Sequence, residues 1–427
     1  MPRISDSLTL ASGLVLPNRL AKTAMTEGLA EKGRPGLEIE TVYRRWAASS
    51  VGLLITGNVM IDRHHLERPG NVVIDRLPDA DMRARLKRWA EAAKSSGGKV
   101  IMQLSHAGRQ TPVRVNKHPK APSTVRVNLP GRQFGDPVAL SEDEIHAIID
   151  RFGVAAAAAR EGGFDGVQVH AAHGYLISEF LSPKTNCRND RWGGSLENRA
   201  RLLLDVVRAV RTATGQDFTL AVKLNSADFQ KGGFAFEDSL TVAGWLKEAG
   251  VDLLEISGGS YEQPRMMAIE GVEKPLEPKA ATTRLREAYF LDFAKQMIKA
   301  PVPPLMVTGG FRSADAMDEA LQSGIDLIGL GRPLCTHPDA VLALLRGVVR
   351  TLPRTEDALR LGPGLFGPNS PVIALKALNG FATLAWYYQQ IRRMGRGETP
   401  DLKLGVLRAF LSEQRDDARK RREEQAS

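Results

Sequence analysis

Cysteine is nearly missing from this chain: its 427 residues hold two, Cys187 and Cys335, far apart in sequence. Two isolated thiols exclude a disulfide framework and a Cys/His metal cluster, so no metal is expected and the expected setting is reducing and cytoplasmic. Aromatic residues make up only 6%, and none accompany the charge run of the basic tail, which removes the stacking platform of a nucleic-acid binder. Near the N-terminus there is no apolar core of signal-peptide type, and Asp6 comes early, so no organelle address is expected. What remains, 43% apolar and 25% charged, is the composition of an ordinary globular protein. Its length suits two or three average domains, or one decorated α/β barrel.

The net charge of +9 is unevenly placed. From Arg346 onward there are 15 Lys and Arg against 9 Asp and Glu, two thirds of the excess. Such a tail reads as a solvated helix face, and no nucleic acid is expected as a partner. The chain therefore divides into residues 1–345 and a basic, helical extension, 346–427.

A short pattern recurs across residues 1–345: a helix-ending Gly, an apolar residue, an Asp, then an apolar run. It occurs at Gly163-Phe164-Asp165, Gly250-Val251-Asp252 and Gly324-Ile325-Asp326, with a looser copy at Gly52-Leu53-Leu54. A glycine C-cap feeding a buried parallel strand explains it. Four more apolar runs, at 19–25, 99–104, 218–224 and 305–308, bring the strands to eight. Eight strands alternating with helices predict a closed (β/α)8 TIM barrel. The proline-rich stretch 105–140, a long β3–α3 loop, reads as a lid or flap. In the extension, 372–394 carries an apolar stripe (Ile373, Leu375, Leu378, Phe381, Leu384, Trp386, Tyr388, Ile391) broken by Lys376. It is too short and too charged for membrane insertion. Its stripe is expected to pack on the barrel or on a second subunit, which makes a homo-oligomer through the extension possible. A second helix is expected over 402–424.

The chemistry concentrates in Gly163-Phe164-Asp165-Gly166-Val167-Gln168-Val169-His170-Ala171-Ala172-His173-Gly174-Tyr175. This is a short strand ending in two imidazoles and a phenol, where barrel enzymes keep their functional groups. Lys223 is a charge inside the apolar run Val222-Lys223-Leu224, costly to bury unless it faces an anion. Gly309-Gly310 and Gly331-Arg332 fall after the seventh and eighth strands, where bare backbone N–H groups and a cation suit a phosphate.

These residues resemble the Old Yellow Enzyme family of FMN-dependent NAD(P)H oxidoreductases. The resemblance covers about residues 10–340. It rests on Asn18-Arg19 leading into Ala24-Met25-Thr26, Gln103 in Met102-Gln103-Leu104-Ser105-His106-Ala107-Gly108-Arg109, the His170/His173/Tyr175 set, and Phe180-Leu181-Ser182-Pro183. It continues through Asp190-Arg191-Trp192-Gly193-Gly194-Ser195-Leu196-Glu197-Asn198-Arg199, Thr308-Gly309-Gly310-Phe311 and Leu330-Gly331-Arg332-Pro333. It implies a non-covalent FMN across the mouth of the barrel, with its phosphate on the two glycine pairs and Arg332. Gln103 would meet the pyrimidine edge of the ring and Lys223 the region of N1; Ala24, Met25, Thr26 and Gly57 would form the platform. NADH or NADPH would be the hydride donor and an electrophilic alkene, such as an α,β-unsaturated carbonyl compound, the substrate. His170 and His173 would bind its carbonyl and Tyr175 would supply the proton.

Some family members carry Pro where this chain has Ala24, and Cys or Tyr near Thr26 and Gly28. Two cysteines also cannot ligate the iron–sulfur cluster of the related dienoyl-CoA reductases. The competing readings are an NADH oxidase or demethylase-like enzyme on the same flavin, a metal-dependent barrel hydrolase using His170 and His173, and a non-catalytic scaffold.

Overall fold

The computed structural model describes residues 1–129, 132–259, 262, 290–368 and 370–425; Pro130 of the long loop lies outside them. Eight parallel strands close on themselves: β1 (Leu20–Lys22), β2 (Leu53–Ile55), β3 (Lys99–Ser105), β4 (Gly166–Ala171), β5 (Thr219–Asn225), β6 (Leu253–Ser257), β7 (Leu305–Thr308) and β8 (Leu327–Leu330). Pairing runs in sequence order, β8 returns to β1, and the ring is complete. Helices flank it, from α1 (Leu37–Ala47) and α2 (Ala80–Ala93) through α3 (Glu142–Glu161), α4 (Leu176–Leu181), α5 (Leu196–Thr214), α6 (Phe236–Glu248), α7 (Leu291–Met297) and α8 (Ala314–Gln322) to α9 (Arg332–Thr336) and α10 (Pro338–Leu345). The expected (β/α)8 barrel is what the chain forms.

The recurrent Gly-apolar-Asp has a second cause besides the helix cap. Asp165 accepts the N–H of Val100 at 2.8 Å, Asp252 that of Leu220 at 2.8 Å, and Asp326 that of Leu305 at 2.8 Å. Each carboxylate thus satisfies a backbone donor near the start of the preceding strand, one residue before its pairing with the following strand begins. The glycines supply the left-handed φ needed to leave the helix, 80° at Gly163, 78° at Gly250 and 104° at Gly324.

Period-two alternation then sorts the lumen into layers. Its lower layer is apolar: Ala21, Leu53, Ile55, Ile101, Ala221, Leu253, Met306 and Leu327, closed from below by Leu8, Leu10 and Leu16 of the N-terminal hairpin. One alternation higher, the strands present Gln103, Gln168, Lys223, Glu255 and Thr308, so the polar groups gather at the C-terminal mouth.

The extension docks on the barrel. Helix α11 (Ile373–Gly395) packs on α1 and α9, and α12 (Val406–Gln425) packs on α11. Here the expected solvated basic face is one side of α12 only, where Arg408, Arg415, Arg419 and Arg422 are exposed. Arg392 is 1% exposed and bonds Glu413 at 3.2 and 3.1 Å, while Glu413 and Asp417 also hold the buried Arg68 of the barrel. Arg114 reaches Asp417 at 2.7 Å, and Lys420 donates to the Ala30 carbonyl at 2.8 Å. The buried acids Glu413 and Asp417 of α12 thus face cations of the barrel and of α11. Among the described residues, no helix is long and apolar enough to cross a membrane.

Candidate active site

Glu255 organises the upper lumen. It is fully buried and accepts the hydroxyls of Thr23 and Thr308, both at 2.7 Å, and pairs with Lys223 at 3.0 Å. Burial works against its charge, but the Lys223 ammonium and the two hydroxyls more than offset that, holding the carboxyl below the usual carboxylate range. Its other oxygen accepts Gln168 Nε2 at 2.8 Å, and Gln168 Oε1 accepts Gln103 Nε2 at 2.7 Å. A carboxylate only accepts, so it fixes the Gln168 amide and, through it, the Gln103 amide. Space here is tight: a Cβ on Gly329 would collide with Thr308 Oγ1. The anion that Lys223 required is therefore partly internal. Glu255 and Gln168 were missed in the sequence, although each is a polar residue inside an apolar strand.

His170 ends β4, and its ring meets those of His173 at 5.1 Å and Tyr175 at 4.9 Å, both edge-on. Burial and the neighbouring His173 and Lys223 hold His170 well below the ordinary imidazole value, and burial and Lys223 do the same to His173. Both rings are neutral at neutral pH. His170 Nδ1 accepts the N–H of Ala172 at 3.2 Å, so its Nε2 carries the proton and is a donor. His173 sits at φ 63°, a left-handed position uncommon outside glycine. Asn225 accepts its N–H at 3.1 Å, Gln110 donates to its carbonyl at 2.9 Å, and Ser257 Oγ lies 2.7 Å from Nε2. These contacts over-determine the backbone, as strain at a functional site requires. Tyr175 is the N-cap residue just before α4 and is 5% exposed.

The triad, Gln103, Lys223, Ala24, Met25, Thr26, Gly309, Gly310, Gly331 and Arg332 all line one cavity at the C-terminal mouth. Gly57 does not. Its N–H donates to Glu27 at 3.0 Å and a Cβ there would strike that carboxylate, so the glycine makes room behind the wall, and Asn58 is the residue that lines it. The long loop after β3 supplies none of the described lining residues. It supports the site from outside instead, through Gln110 and through Arg109, which pairs with Glu262 at 2.5 Å. The cover comes from α11, whose Gly380, Thr383, Leu384, Tyr387, Tyr388 and Ile391 recur at helical spacing along the cavity.

At the glycine end two guanidiniums converge. Arg332 stands 3.8 Å from Glu356, and Arg312, which is 2% exposed, bonds the same carboxylate at 2.5 Å. Arg312 Nε is buried without a hydrogen-bond partner among the described residues. Gly309 and Gly310 turn with φ of 140° and 77°, which leaves bare backbone facing the cavity. A cationic, glycine-walled end and an amide–ammonium wall fit the phosphate and ring edge of FMN.

One further group has metal-ligand spacing among the described residues: Asp62, His65 and His106. His65 Nε2 accepts the N–H of Lys120 at 2.8 Å and His106 Nδ1 that of Gly108 at 3.1 Å. The nitrogens facing Asp62 therefore carry the protons, the reverse of what a metal ligand needs.

Barrel, mouth and cavity together define the class of flavin-dependent (β/α)8 oxidoreductases. The chain belongs to the NADH:flavin oxidoreductase / NADH oxidase family, whose sequence profile matches residues 8–349. It is 38% identical over 351 residues to the NADH-dependent flavin oxidoreductase iliE of Hypocrea jecorina (strain QM6a), spanning 78% of this chain and 86% of that protein. To the NADH oxidase of Thermoanaerobacter brockii it is 34% identical over 331 residues, 76% of this chain and 48% of that one. Among solved structures it is similar to the old yellow enzyme homologue of Zymomonas mobilis (TM-score 0.68, 27% identity, 83% of this chain and 96% of that one). Morphinone reductase in complex with tetrahydroNAD gives a TM-score of 0.66 at 27% identity, over 83% and 93% of the two chains. The Old Yellow Enzyme resemblance is thereby borne out, with FMN as cofactor and a nicotinamide nucleotide as its redox partner. Helices α11 and α12 lie beyond the matched residues.

Proposed function

We propose that this protein reduces the activated C=C bond of α,β-unsaturated carbonyl compounds, taking electrons from NADH or NADPH through FMN. The observation that carries this reading is the trio of His170, His173 and Tyr175 on one wall of the cavity, both imidazoles neutral. When bound, FMN supplies the hydride that reaches the β-carbon. His170 Nε2–H donates to the carbonyl oxygen and steadies the enolate-like charge that grows there. His173, held by Ser257, supports the same oxygen. Tyr175 gives the α-carbon its proton; an ordinary phenol, with a pKa of ~10, is protonated at neutral pH. Gln103, fixed through Gln168, meets the ring edge, and Lys223 stands beside it as the cation that favours a reduced, anionic flavin. Helix α11 excludes water from above. A second copy of the chain would cover Leu407 and Leu411, both about half-exposed on α12. An NADH oxidase activity on the same flavin is the alternative, since one relative carries that name.

Isotope placement tests the reading. With nicotinamide deuterated at C4, deuterium should appear at the β-carbon of the saturated product; in D₂O, solvent deuterium should appear at the α-carbon. Label at neither carbon would contradict it. Arg332→Ala should weaken FMN binding about 10-fold or more, the usual worth of a charged hydrogen bond, without unfolding a residue that is partly exposed. An unchanged Kd would move the phosphate elsewhere.

A further inference from the structure

Tyr387 is a polar group in the cavity that the proposed chemistry leaves without a task. It lies on α11, beyond the residues matched by the family, and shares the stripe that covers the site. The residue is 6% exposed, and its phenolic oxygen is buried with no hydrogen-bond partner among the described residues. A buried hydroxyl without a partner costs free energy, so native structures retain one where an acceptor is to arrive.

The surroundings say which acceptor. The charges that act on the Tyr387 phenol are those of Arg332, Glu356 and Arg312, with the Cys335 thiol among them. Guanidiniums offer donors only, and Glu356 is already held by Arg312. Gly309, Gly310 and Gly331 complete this end of the cavity. Two cations, bare backbone and one unsatisfied O–H want a dense set of anionic oxygens. Burial pushes the phenol above its ordinary value, which keeps its proton in place.

We propose that Tyr387 donates its O–H to the FMN phosphate, so that the C-terminal extension completes the phosphate pocket. The inference rests on the reading of this cavity as the FMN site. The extension then belongs to the cofactor site: Glu356 positions Arg312 and Arg332, and Tyr387 touches the phosphate itself. Flavin retention and docking of α11 become one property.

Titration of flavin-stripped protein by fluorescence quenching tests this, with FMN and riboflavin compared on wild type and Tyr387→Phe. The substitution keeps the ring and removes one O–H. FMN should bind about 10- to 100-fold more weakly, the worth of a hydrogen bond to a charged group, while riboflavin, which has no phosphate, should change less than about twofold. Equal weakening of both flavins would make Tyr387 a packing residue and overturn the proposal. So would unchanged FMN affinity in the variant while wild type still prefers FMN to riboflavin. Wild type that binds FMN no better than riboflavin would refute the phosphate site, and the proposal with it.

Discussion

Tyr175→Phe is expected to slow the reoxidation of the reduced enzyme by a simple enone by roughly 10² to 10⁴, the usual contribution of a positioned general acid. Reduction by NADH or NADPH should be nearly unchanged, because that half-reaction needs no proton donor. The variant keeps the ring that packs edge-on to His170 at 4.9 Å, so the cavity keeps its shape and only the acidic proton is lost. Quinones and nitro compounds, which need no protonation at carbon, should still reoxidise the variant well. His170→Ala should differ by weakening carbonyl ligands as well as turnover, since it removes the Nε2–H donor. Stopped-flow measurement of the two half-reactions separates these effects. Wild-type enone reoxidation in Tyr175→Phe would remove Tyr175 from the mechanism.

The second large effect lies in the extension. Glu413→Ala should destabilise the protein by about 3–5 kcal/mol, the range for breaking a buried ion pair from one side. The buried Arg68 and Arg392 would lose a shared carboxylate, keeping Asp417 at 2.7 and 3.8 Å. Since α12 holds α11 and α11 covers the cavity, the variant should also release FMN at lower temperature. The same group predicts a pH dependence. Burial opposes the Glu413 charge, but Arg68 and Arg392 outweigh it and bring the carboxyl down from 4.5 to about 2. A depressed carboxyl contributes stability that is fully present above the unfolded value and is lost as pH falls. Wild type should therefore lose this contribution between about pH 4.5 and 2, and Glu413→Ala should lack that portion of the acid transition. Equal melting and equal flavin retention in the two proteins would show that the network does not hold the extension down.

Much of this was legible in the sequence because it is local. The Gly-apolar-Asp copies marked strand entries, and their carboxylates prove to bind the preceding strands, a rule set within a few residues of each motif. His170, His173 and Tyr175 lie within six positions of one another, so one strand exit had to bring them together. What was missed is long-range. An apolar stripe on α11 says that the helix packs, not that one arc of it covers a cavity. Tyr387, Glu356 and Arg312 meet across 75 residues of chain, with no pattern linking them. Glu255 could have been suspected from an acid inside Leu253-Leu254-Glu255-Ile256-Ser257, the partner that a buried Lys223 demanded. Gly57 shows the limit of such reading, because a glycine beside a motif does not say whether it faces the cavity or makes room behind its wall. The lid assigned to residues 105–140 followed from loop length alone, and length does not fix direction.

Whether this FMN enzyme hands its electrons to an activated alkene is settled by one anaerobic double-mixing experiment on the wild-type protein. NADH or NADPH should bleach the flavin absorbance, and 2-cyclohexenone added next should restore it, with one saturated ketone formed per flavin. Flavin that stays reduced in the presence of that enone and a panel of others, and recovers only when oxygen is admitted, would contradict the proposed reaction.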